Sequence, residues 1–561
     1  MEGGRFLLAI ALMIAVVVLT NLILPPVAPP PSVATDTTLA APPPAAMGGE
    51  SRPAGSVPEG PATGAAATPS NVDPGAPADT IRVTSGLYDF GISTRGGAIV
   101  SARLLGYESF RTGGEGTVVD LAPPASPGLV RHRLQIGTQV LDLATLEFRP
   151  DARSLTMGDA SDGPRTLRLT HHDSASGFAI ELAYTFRPAD YDIGVDLRVN
   201  GTGGASPQLL LDFGPRLAAN EAVAAEDERA LAYVVRNEAT GIASEQFTKV
   251  RAQRVENGPL SWFAIKSKYF VAAAMRTDTA GMPFGGVIAT PAAEPLNVHL
   301  TATLLPNPQG DFRYRLYLGP QEFDRLARFQ NQLQDVSVFG WKFLQPVLRP
   351  LGHAITWLLL QMHRALGLGY GWLLILFGVL IRLVLWPLNA KAMRAQMKNM
   401  EMQPRIKEMQ ARYKGDPEKL QKEMLRLYKE EGFNPAGGCL PMLLPFPVLI
   451  TLFFVFQSTI EFRGVEFLWL PDLSRADPLY ILPIALGISM FLQQWLTLRA
   501  TKDAQPQMKI MTFVMPVFLT VLFLNFASGL NLYYASMNLA SVPQQLQINR
   551  ERQRRFGHRI G

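Results

Sequence analysis

Cysteine is almost absent from this 561-residue chain, which contains only Cys439. No disulfide can form within the chain, so cysteine usage indicates neither an oxidising nor a reducing compartment. The histidines are scattered, and only His171 and His172, followed by Asp173, suggest a metal site. Because an exposed strand end explains such a cluster better, the sequence predicts no metal and no cofactor.

Motifs of common catalytic sites are also missing. The chain has no Walker A sequence, no G-x-S-x-G, no H-E-x-x-H and no paired cysteines at metal-binding spacing. A nucleotide-driven pump or a hydrolase is therefore poorly supported. The interpretation is that the protein is not an enzyme.

Long apolar runs dominate the C-terminal third. Four of them carry no charged residue, and each is close to the ~20 residues that a helix needs to cross a bilayer. These runs are 440–460, 479–498, 510–527 and 530–548.

Two further runs complete the set. The run 370–387 carries only Arg382, and another lies within residues 1–24. The latter is longer than the usual core of a signal peptide, which favours an uncleaved anchor over a cleaved signal. The sequence thus predicts a multi-domain membrane protein with six helical spans, five of which form a core at 370–549.

Composition divides the rest of the chain into further regions. Residues 25–79 are rich in Pro, Ala and Gly, which predicts a disordered linker. From 80 to 335 apolar residues alternate, as at Ile180 and Leu182, and this pattern predicts an antiparallel β-sandwich. Residues 336–369 are amphipathic, and a helix lying in the membrane interface and a simple domain-linking helix fit them equally well.

Lysine and arginine are distributed unevenly between the loops, which predicts the orientation of the spans. Segment 388–436 holds eleven of these residues and loop 461–478 holds two, so the first is predicted to be cytoplasmic and the second to lie outside. Loop 499–509 and the tail 550–561 are basic again. The spans then alternate consistently, with both termini in the cytoplasm and the β-domain outside.

The basic segment 388–436 carries methionines at helical spacing. They are Met393, Met397, Met400, Met409 and Met424. An Asp416-Pro417 pair, which is typical of a helix start, lies between two stripes of apolar residues at helical spacing. The sequence therefore predicts a cytoplasmic helical hairpin. Methionine suits surfaces that meet varied apolar partners, but two short stripes packed on each other would also explain the pattern.

Arg382 is the only charged residue in the five core runs. A charge at mid-bilayer depth costs about 2.5–3.5 kcal/mol and usually faces a polar cavity, whereas snorkelling to the interface is the alternative near a helix end. Polar side chains in the other runs favour the cavity. They include Thr451, Gln457, Gln493 and Asn525. No acidic residue in the runs opposes Arg382, which weakens a proton or cation pathway.

Several motifs together resemble the YidC family, the bacterial membrane protein insertases. They are Arg382 with Trp386-Pro387-Leu388, Asn434 to Cys439, and Gly529-Leu530 with Tyr533-Tyr534. The similarity covers about 340–550. The segment from Trp262 to Phe270 more loosely resembles the periplasmic β-domain of that family.

The resemblance implies a hydrophilic groove that has Arg382 at its centre and opens to the cytoplasm and to lipid. It implies substrate contacts at Phe446, Pro447 and Leu449. Two groove positions that the family fills with glutamine and tryptophan are Pro445 and Asn525 here. The resemblance also implies a bacterial inner membrane location and, as partners, newly made membrane proteins, the Sec translocon, ribosomes and the lipid bilayer, with no DNA partner.

The alternative interpretation is a secondary transporter or channel whose outer β-domain binds a ligand. Intramembrane carboxylates and inverted repeats are typical of such proteins, and the sequence has neither. The favoured interpretation is therefore a protein that inserts membrane proteins into the bilayer and helps them to fold.

The charge asymmetry generates a test of orientation. A cysteine placed in 461–478 should react with a membrane-impermeant thiol reagent added outside, and a cysteine in 499–509 should not, because basic loops remain in the cytoplasm. Labelling of intact cells, with lysed cells as the control, measures both positions. The reverse pattern would contradict the six-span prediction.

Overall fold

The structure is a computed structural model, and it describes most of the chain from residue 79 onward. The described residues are 79–124, 126–158, 161–278, 281–329, 331–337, 344–387, 389–390, 405–406, 408–409, 411–413, 416–430, 445–499 and 506–557. The predicted anchor 1–24, all but the last residue of the linker 25–79, and Met393, Met397 and Met400 lie outside the described residues.

The first part of the described chain consists mainly of β-strands. They are β1 Thr80–Thr84, β2 Tyr88–Ser93, β3 Ile99–Glu108, β4 Val118–Asp120, β5 Val130–Ile136, β6 Gln139–Asp142, β7 Arg149–Pro150, β8 Ser154–Thr156, β9 Arg165–Asp173, β10 Phe178–Phe186, β11 Asp192–Asn200, β12 Pro207–Phe213, β13 Ala232–Asn237, β14 Gly241–Gln246, β15 Arg254–Lys266, β16 Phe270–Met275, β17 Phe284–Pro291, β18 Val298–Leu304 and β19 Phe312–Pro320. Short 3₁₀ turns occur at Leu143–Thr145, Phe247–Lys249, Leu333–Val336 and Ile460–Phe462.

The strands form two sheets that share the long strand β15. In the first sheet the order is β7, β9, β10, β11, β19, β16, β15, β13 and β14. In the second it is β15, β17, β18, β12, β5, β3, β2, β1 and β8. Only the β1–β8 pair among these is parallel in the described chain. A bulge between Asn257 and Leu260 lets β15 pass from one sheet to the other.

The core of this β-domain lies between the two sheets. Alternate residues of β10 point into it, and Ile180, Leu182 and Tyr184 are buried. A hydrogen bond between His132 of β5 and the hydroxyl of Tyr314 of β19 crosses from one sheet to the other. The antiparallel β-sandwich expected from the alternating pattern is therefore confirmed.

The remaining described residues are mainly helical. The helices are α1 Ala224–Ala230, α2 Phe323–Leu326, α3 Gln345–Leu366, α4 Tyr370–Val384, α5 Pro417–Glu430, α6 Pro445–Ser458, α7 Ile481–Arg499, α8 Pro506–Phe523 and α9 Ser528–Gly557. Residues of α3, α4, α6, α7, α8 and α9 share one apolar core, separate from that of the β-domain.

Helices α3 and α4 meet at a sharp elbow. Gly367 ends α3 in the left-handed conformation, with φ of 63°, where its N–H donates to the carbonyl of His363. Within the described residues no single helix is both long and apolar enough to cross a bilayer, whereas α3 and α4 satisfy that requirement as a pair bent by 117°. The six spans expected from the sequence stay a prediction.

The long helices have defined relative directions. The ring centroids of Phe377 on α4 and Tyr533 on α9 are 5.6 Å apart. Further along both helices, the side-chain amide of Gln544 donates to the carbonyl of Trp386. The helices α4 and α9 are therefore parallel. Ser489 of α7 bonds to Asn538 of α9, and Gln493 further along α7 bonds to Ser541 further along α9, so these two helices are also parallel. The ring of Phe491 on α7 lies 5.6 Å from that of Phe513 on α8, whereas Gly487 contacts Thr520, so α7 and α8 are antiparallel.

Residues 460–463 join the β-domain to the helices. Ile460 is 4% exposed and belongs to the core of the β-domain. Phe462 belongs to the helical core, where its ring lies 5.4 Å from Tyr370. The first and third side chains of one 3₁₀ turn thus enter two different cores.

Arg463 carries the buried ion pair of this joint. Its Nε lies 2.9 Å from Oε1 of Glu221, and the two side chains are 3% and 10% exposed. The guanidinium also packs over the rings of Phe110, at 4.2 Å, and Phe270, at 5.4 Å. Burial raises the pKa of Glu221 to about 7 although Arg463 opposes the shift. The cost of desolvation therefore outweighs the attraction, and loss of either partner should be destabilising.

This ion pair generates a stability prediction. Arg463→Gln should destabilise the joint by about 3–5 kcal/mol, because the buried Glu221 loses its ion-pair partner. The corresponding fall in the melting temperature is roughly 10 °C, measured by differential scanning fluorimetry of the purified full chain. Arg463→Gln combined with Glu221→Gln should cost less than the sum of the single changes.

The matched control is Arg475→Gln, which removes an exposed arginine from the same loop. Equal melting temperatures for the Arg463 and Arg475 variants would show that the buried pair does not stabilise the joint.

Candidate functional site

Helices α4 and α9 approach each other closely at Gly378. A Cβ atom at this position would lie 3.0 Å from the carbonyl oxygen of Tyr533 and 3.3 Å from the amide nitrogen of Met537. Glycine therefore allows the two backbones to come together. Arg382 follows four residues later, so it lies on the side of α4 that faces α9.

The Arg382 side chain is only partly exposed and lacks an anionic partner within the described residues. Its Nε atom is buried, with no hydrogen-bond acceptor in the described part of the chain. A buried donor without an acceptor costs free energy. The arrangement is therefore suited to an acceptor that comes from outside, such as water or an acidic substrate group.

Polar side chains line the contact between α7 and α9, and we call this set the polar seam. Its members are Ser489, Gln493, Asn538, Ser541 and Gln545. The Gln493 amide donates to the carbonyl of Asn538 at 2.8 Å, and the Asn538 amide donates to Ser489 at 3.3 Å. Hydrogen bonds to side chains and to the backbone thus follow the contact between these two helices.

Gln544 lies one residue before the end of the polar seam and is buried, with 1% exposure. Its amide donates to the carbonyl of Trp386 at 2.9 Å, just beyond the end of α4. Because Trp386 follows Arg382 by one helical turn, this bond places Gln544 of α9 within about one turn of the level of Arg382. Arg382 therefore lies on one helix that packs against α9, and the polar seam lies between α9 and a second such helix, α7.

The predicted groove residues on α6 have different surroundings. Thr451 is fully buried, with 0% exposure, among apolar residues of the helical core. Leu449 is partly buried and packs against the same core. Phe446 and Pro447 belong to the first turn of α6, but their side chains lie outside the described residues.

The structure does not bring Gln457 or Asn525 to Arg382. Gln457 is exposed near the end of α6 that leads to Phe462, whose ring contacts Tyr370 at the opposite end of α4 from Arg382. Asn525 is exposed in the turn before Ser528, whose N–H donates to the carbonyl of Arg475. That turn is about 24 Å along α9 from Gln544. The groove expected from the sequence therefore loses these two residues.

The predicted cytoplasmic hairpin is only partly described. Helix α5 starts as expected, because the N–H of Lys419 donates to the carboxylate of Asp416 at 3.1 Å. Met409 and Met424 are partly buried. The pairing of two helices into a hairpin remains a prediction.

The sequence analysis missed Ser489 and Ser541. A usable signal was present, because Asn538, Ser541 and Gln545 recur at spacings of three and four and so share one face of α9. The small hydroxyl of serine is common in apolar helices, so serine alone does not indicate a polar contact.

Two family models match the chain. The model described as 60Kd inner membrane protein matches residues 361–555. The model described as YidC periplasmic domain matches residues 80–351. Together they cover both the helical region and the β-sandwich.

Individual proteins show the same similarity. A membrane protein insertase YidC from Burkholderia cenocepacia is 30% identical over 527 residues, which cover 90% of each chain. One from Chlorobaculum parvum is 34% identical over 391 residues, which cover 66% of each chain. A crystal structure of an active YidC insertase is 18% identical, with a TM-score of 0.33, and the match covers 83% of this chain and 92% of that one.

Proposed function

The chain belongs to the YidC family of membrane protein insertases, and we propose that it inserts newly made membrane proteins through a hydrophilic groove centred on Arg382. The observation that carries this proposal is the guanidinium of Arg382. It is partly buried, it has no anionic partner within the described residues, and its buried Nε lacks an acceptor there. A transmembrane helix that retains such a cation favours a polar cavity beside it.

The polar seam and Gln544 form the wall of the proposed groove that is nearest to Arg382. Their amides and hydroxyls can exchange hydrogen bonds with water or with a polar peptide. On the other side, Phe446, Pro447 and Leu449 of α6 are the proposed contacts of the apolar substrate helix. Substrate thus meets polar groups and apolar groups on different helices.

The proposed mechanism relies on solvation and not on covalent chemistry. Unpaired polar groups of a substrate tail are costly in hydrocarbon, and a wet groove that reaches partway into the bilayer shortens their path. Arg382 attracts acidic residues of the tail. Burial of a substrate helix of ~20 apolar residues drives the step, so neither a catalytic residue nor a cofactor is required.

The proposed location is the bacterial inner membrane, with several spans and with both termini in the cytoplasm. The family consists of inner membrane proteins that have a periplasmic domain. The parallel course of α4, α7 and α9 and the opposite course of α8 agree with the alternation derived from the loop charges. With α3 bent by 117° from α4, we propose that α3 lies in the outer interface.

The proposed partners are nascent membrane proteins, the Sec translocon and ribosomes. The segment 388–436 contains eleven lysines and arginines against seven acidic residues and so carries a net positive charge. Ribosomal RNA is polyanionic, and a basic segment attracts it through charge alone.

The charge of Arg382 generates the first prediction on activity. Arg382→Lys should retain most insertion activity, because a positive charge and not a bidentate fork is needed. Arg382→Ala should reduce insertion of a substrate with an acidic tail about tenfold, which corresponds to ~1.4 kcal/mol, and should affect a neutral-tailed substrate less. The protease-protected fraction in vesicles with equal amounts of each variant measures both.

The matched control is Gln457→Ala, which changes a polar residue of α6 outside the proposed groove and should leave both substrates unaffected. An equal loss for acidic and neutral substrates in Arg382→Ala would assign a structural role to Arg382. Full activity with both would exclude the groove centred on it.

The β-domain generates a second prediction. Deletion of 80–320 should leave insertion of a simple single-span substrate intact, because the proposed groove consists of helices only. Arg463 then faces water and is not left buried without Glu221, so the helical core should remain stable. Insertion into vesicles, normalised to the amount of protein in the membrane, is the measurement. Complete loss of insertion by a stably inserted deletion variant would refute the prediction.

A further inference from the structure

A cleft of about 360 Å³ lies between the β-domain and the elbow of α3 and α4. Its lining is rich in charge from both sides of the joint. The charged residues other than histidine are Glu322, Asp324, Arg325, Arg328, Arg364 and Glu461. Neither the proposed groove nor the substrate path uses this cleft.

Most of these charges neutralise each other. Arg364 forms a salt bridge with Asp324, and Nε of Arg325 lies 2.8 Å from Oε2 of Glu322. Arg328 and Glu461 remain, and neither has an ion-pair partner within the described residues. The cleft therefore offers one cation and one carboxylate that have no ion-pair partner in the described part of the chain.

The two remaining charges differ in depth. Arg328 is exposed at the rim. Oε2 of Glu461 is buried, and no group in the described part of the chain donates a hydrogen bond to it. Burial raises the pKa of Glu461 to about 7. A cationic donor that enters the cleft would satisfy this oxygen and favour the charged carboxylate.

The cleft adjoins the surface of the proposed membrane region. Tyr370, the first residue of α4, lines it. Trp357 on α3 and Trp372 on α4 are 53% and 55% exposed. Exposed tryptophans are typical of the headgroup level of a bilayer. Under the proposed orientation, on which this inference rests, the cleft opens at the outer leaflet.

We propose that the cleft binds the headgroup of a phospholipid whose terminal group is a primary ammonium, with the ammonium at Glu461 and the phosphate at Arg328. The ammonium is the part of such a headgroup farthest from the acyl chains. It therefore reaches Glu461, which lies deeper in the cleft than Arg328, while the phosphate stays at the rim. A primary ammonium donates hydrogen bonds to a carboxylate, whereas a quaternary ammonium has no N–H. An anionic headgroup without an amine leaves Glu461 uncompensated.

The test uses the purified full chain in detergent with equal amounts of phosphatidylethanolamine, phosphatidylcholine and phosphatidylglycerol. Native mass spectrometry measures which lipid stays bound. The wild type should retain phosphatidylethanolamine preferentially, and Glu461→Gln and Arg328→Gln should each weaken retention about tenfold, as expected for loss of one charge-assisted hydrogen bond. Glu466→Gln, which changes an exposed carboxylate of the same loop, is the matched control and should retain lipid like the wild type.

Arg328 is exposed and forms no ion pair among the described residues, so its substitution tests the proposal even if Glu461→Gln folds poorly. Equal retention of the three lipids, or unchanged retention in Arg328→Gln, would overturn the proposal. Soluble phosphoethanolamine is the competing source of the same chemistry, and displacement of the lipid by equimolar phosphoethanolamine would overturn the membrane source. The assay contains no insertion substrate, so its outcome is independent of whether Arg382 acts in insertion.

Discussion

The cost of removing a charge from water governs how the β-domain meets the helices. Arg463 can be buried because Glu221 and aromatic rings of the β-domain surround its guanidinium. Such a pair forms in one relative orientation of its partners. Ile460 and Phe462 of the same short segment then fill the cores on either side. The segment that follows α6 is thereby held between the β-domain and the helical core.

Arg382 has the same side chain as Arg463 but lacks an anionic partner within the described residues. No carboxylate and no aromatic ring of the described residues compensates its charge, and the contact between α7 and α9 contains amides and hydroxyls. One arginine thus has a buried carboxyl partner at a joint, whereas the other has no ion-pair partner among the described residues and is open to an external one. The contrast within one chain is a physical reason to assign a structural role to Arg463 and to propose a functional one for Arg382.

The sequence was most informative where a local pattern determines the environment of a residue. Alternation along β10 predicted which side chains enter the core, because neighbouring residues of a strand point to opposite faces. The passage of β15 between two sheets was not predictable, since it depends on pairing with strands distant in sequence. The sequence was least informative about how deep in a helix the polar residues of an apolar run lie. Asn525 lies in a turn and not within a helix, because the run 510–527 continues beyond the end of α8 at Phe523.

The connection of α6 to residues 460–463 has a mechanical consequence. The end of α6 at Ser458 leads directly into a segment held by two hydrophobic cores and an ion pair, whereas the end at Pro445 is about 20 Å away along the helix. A helix that is held at one end turns about that end, so the displacement of its residues increases with their distance from the held end. Tilting of α6 about the segment 460–463 therefore moves Pro445 the most and Ser458 the least.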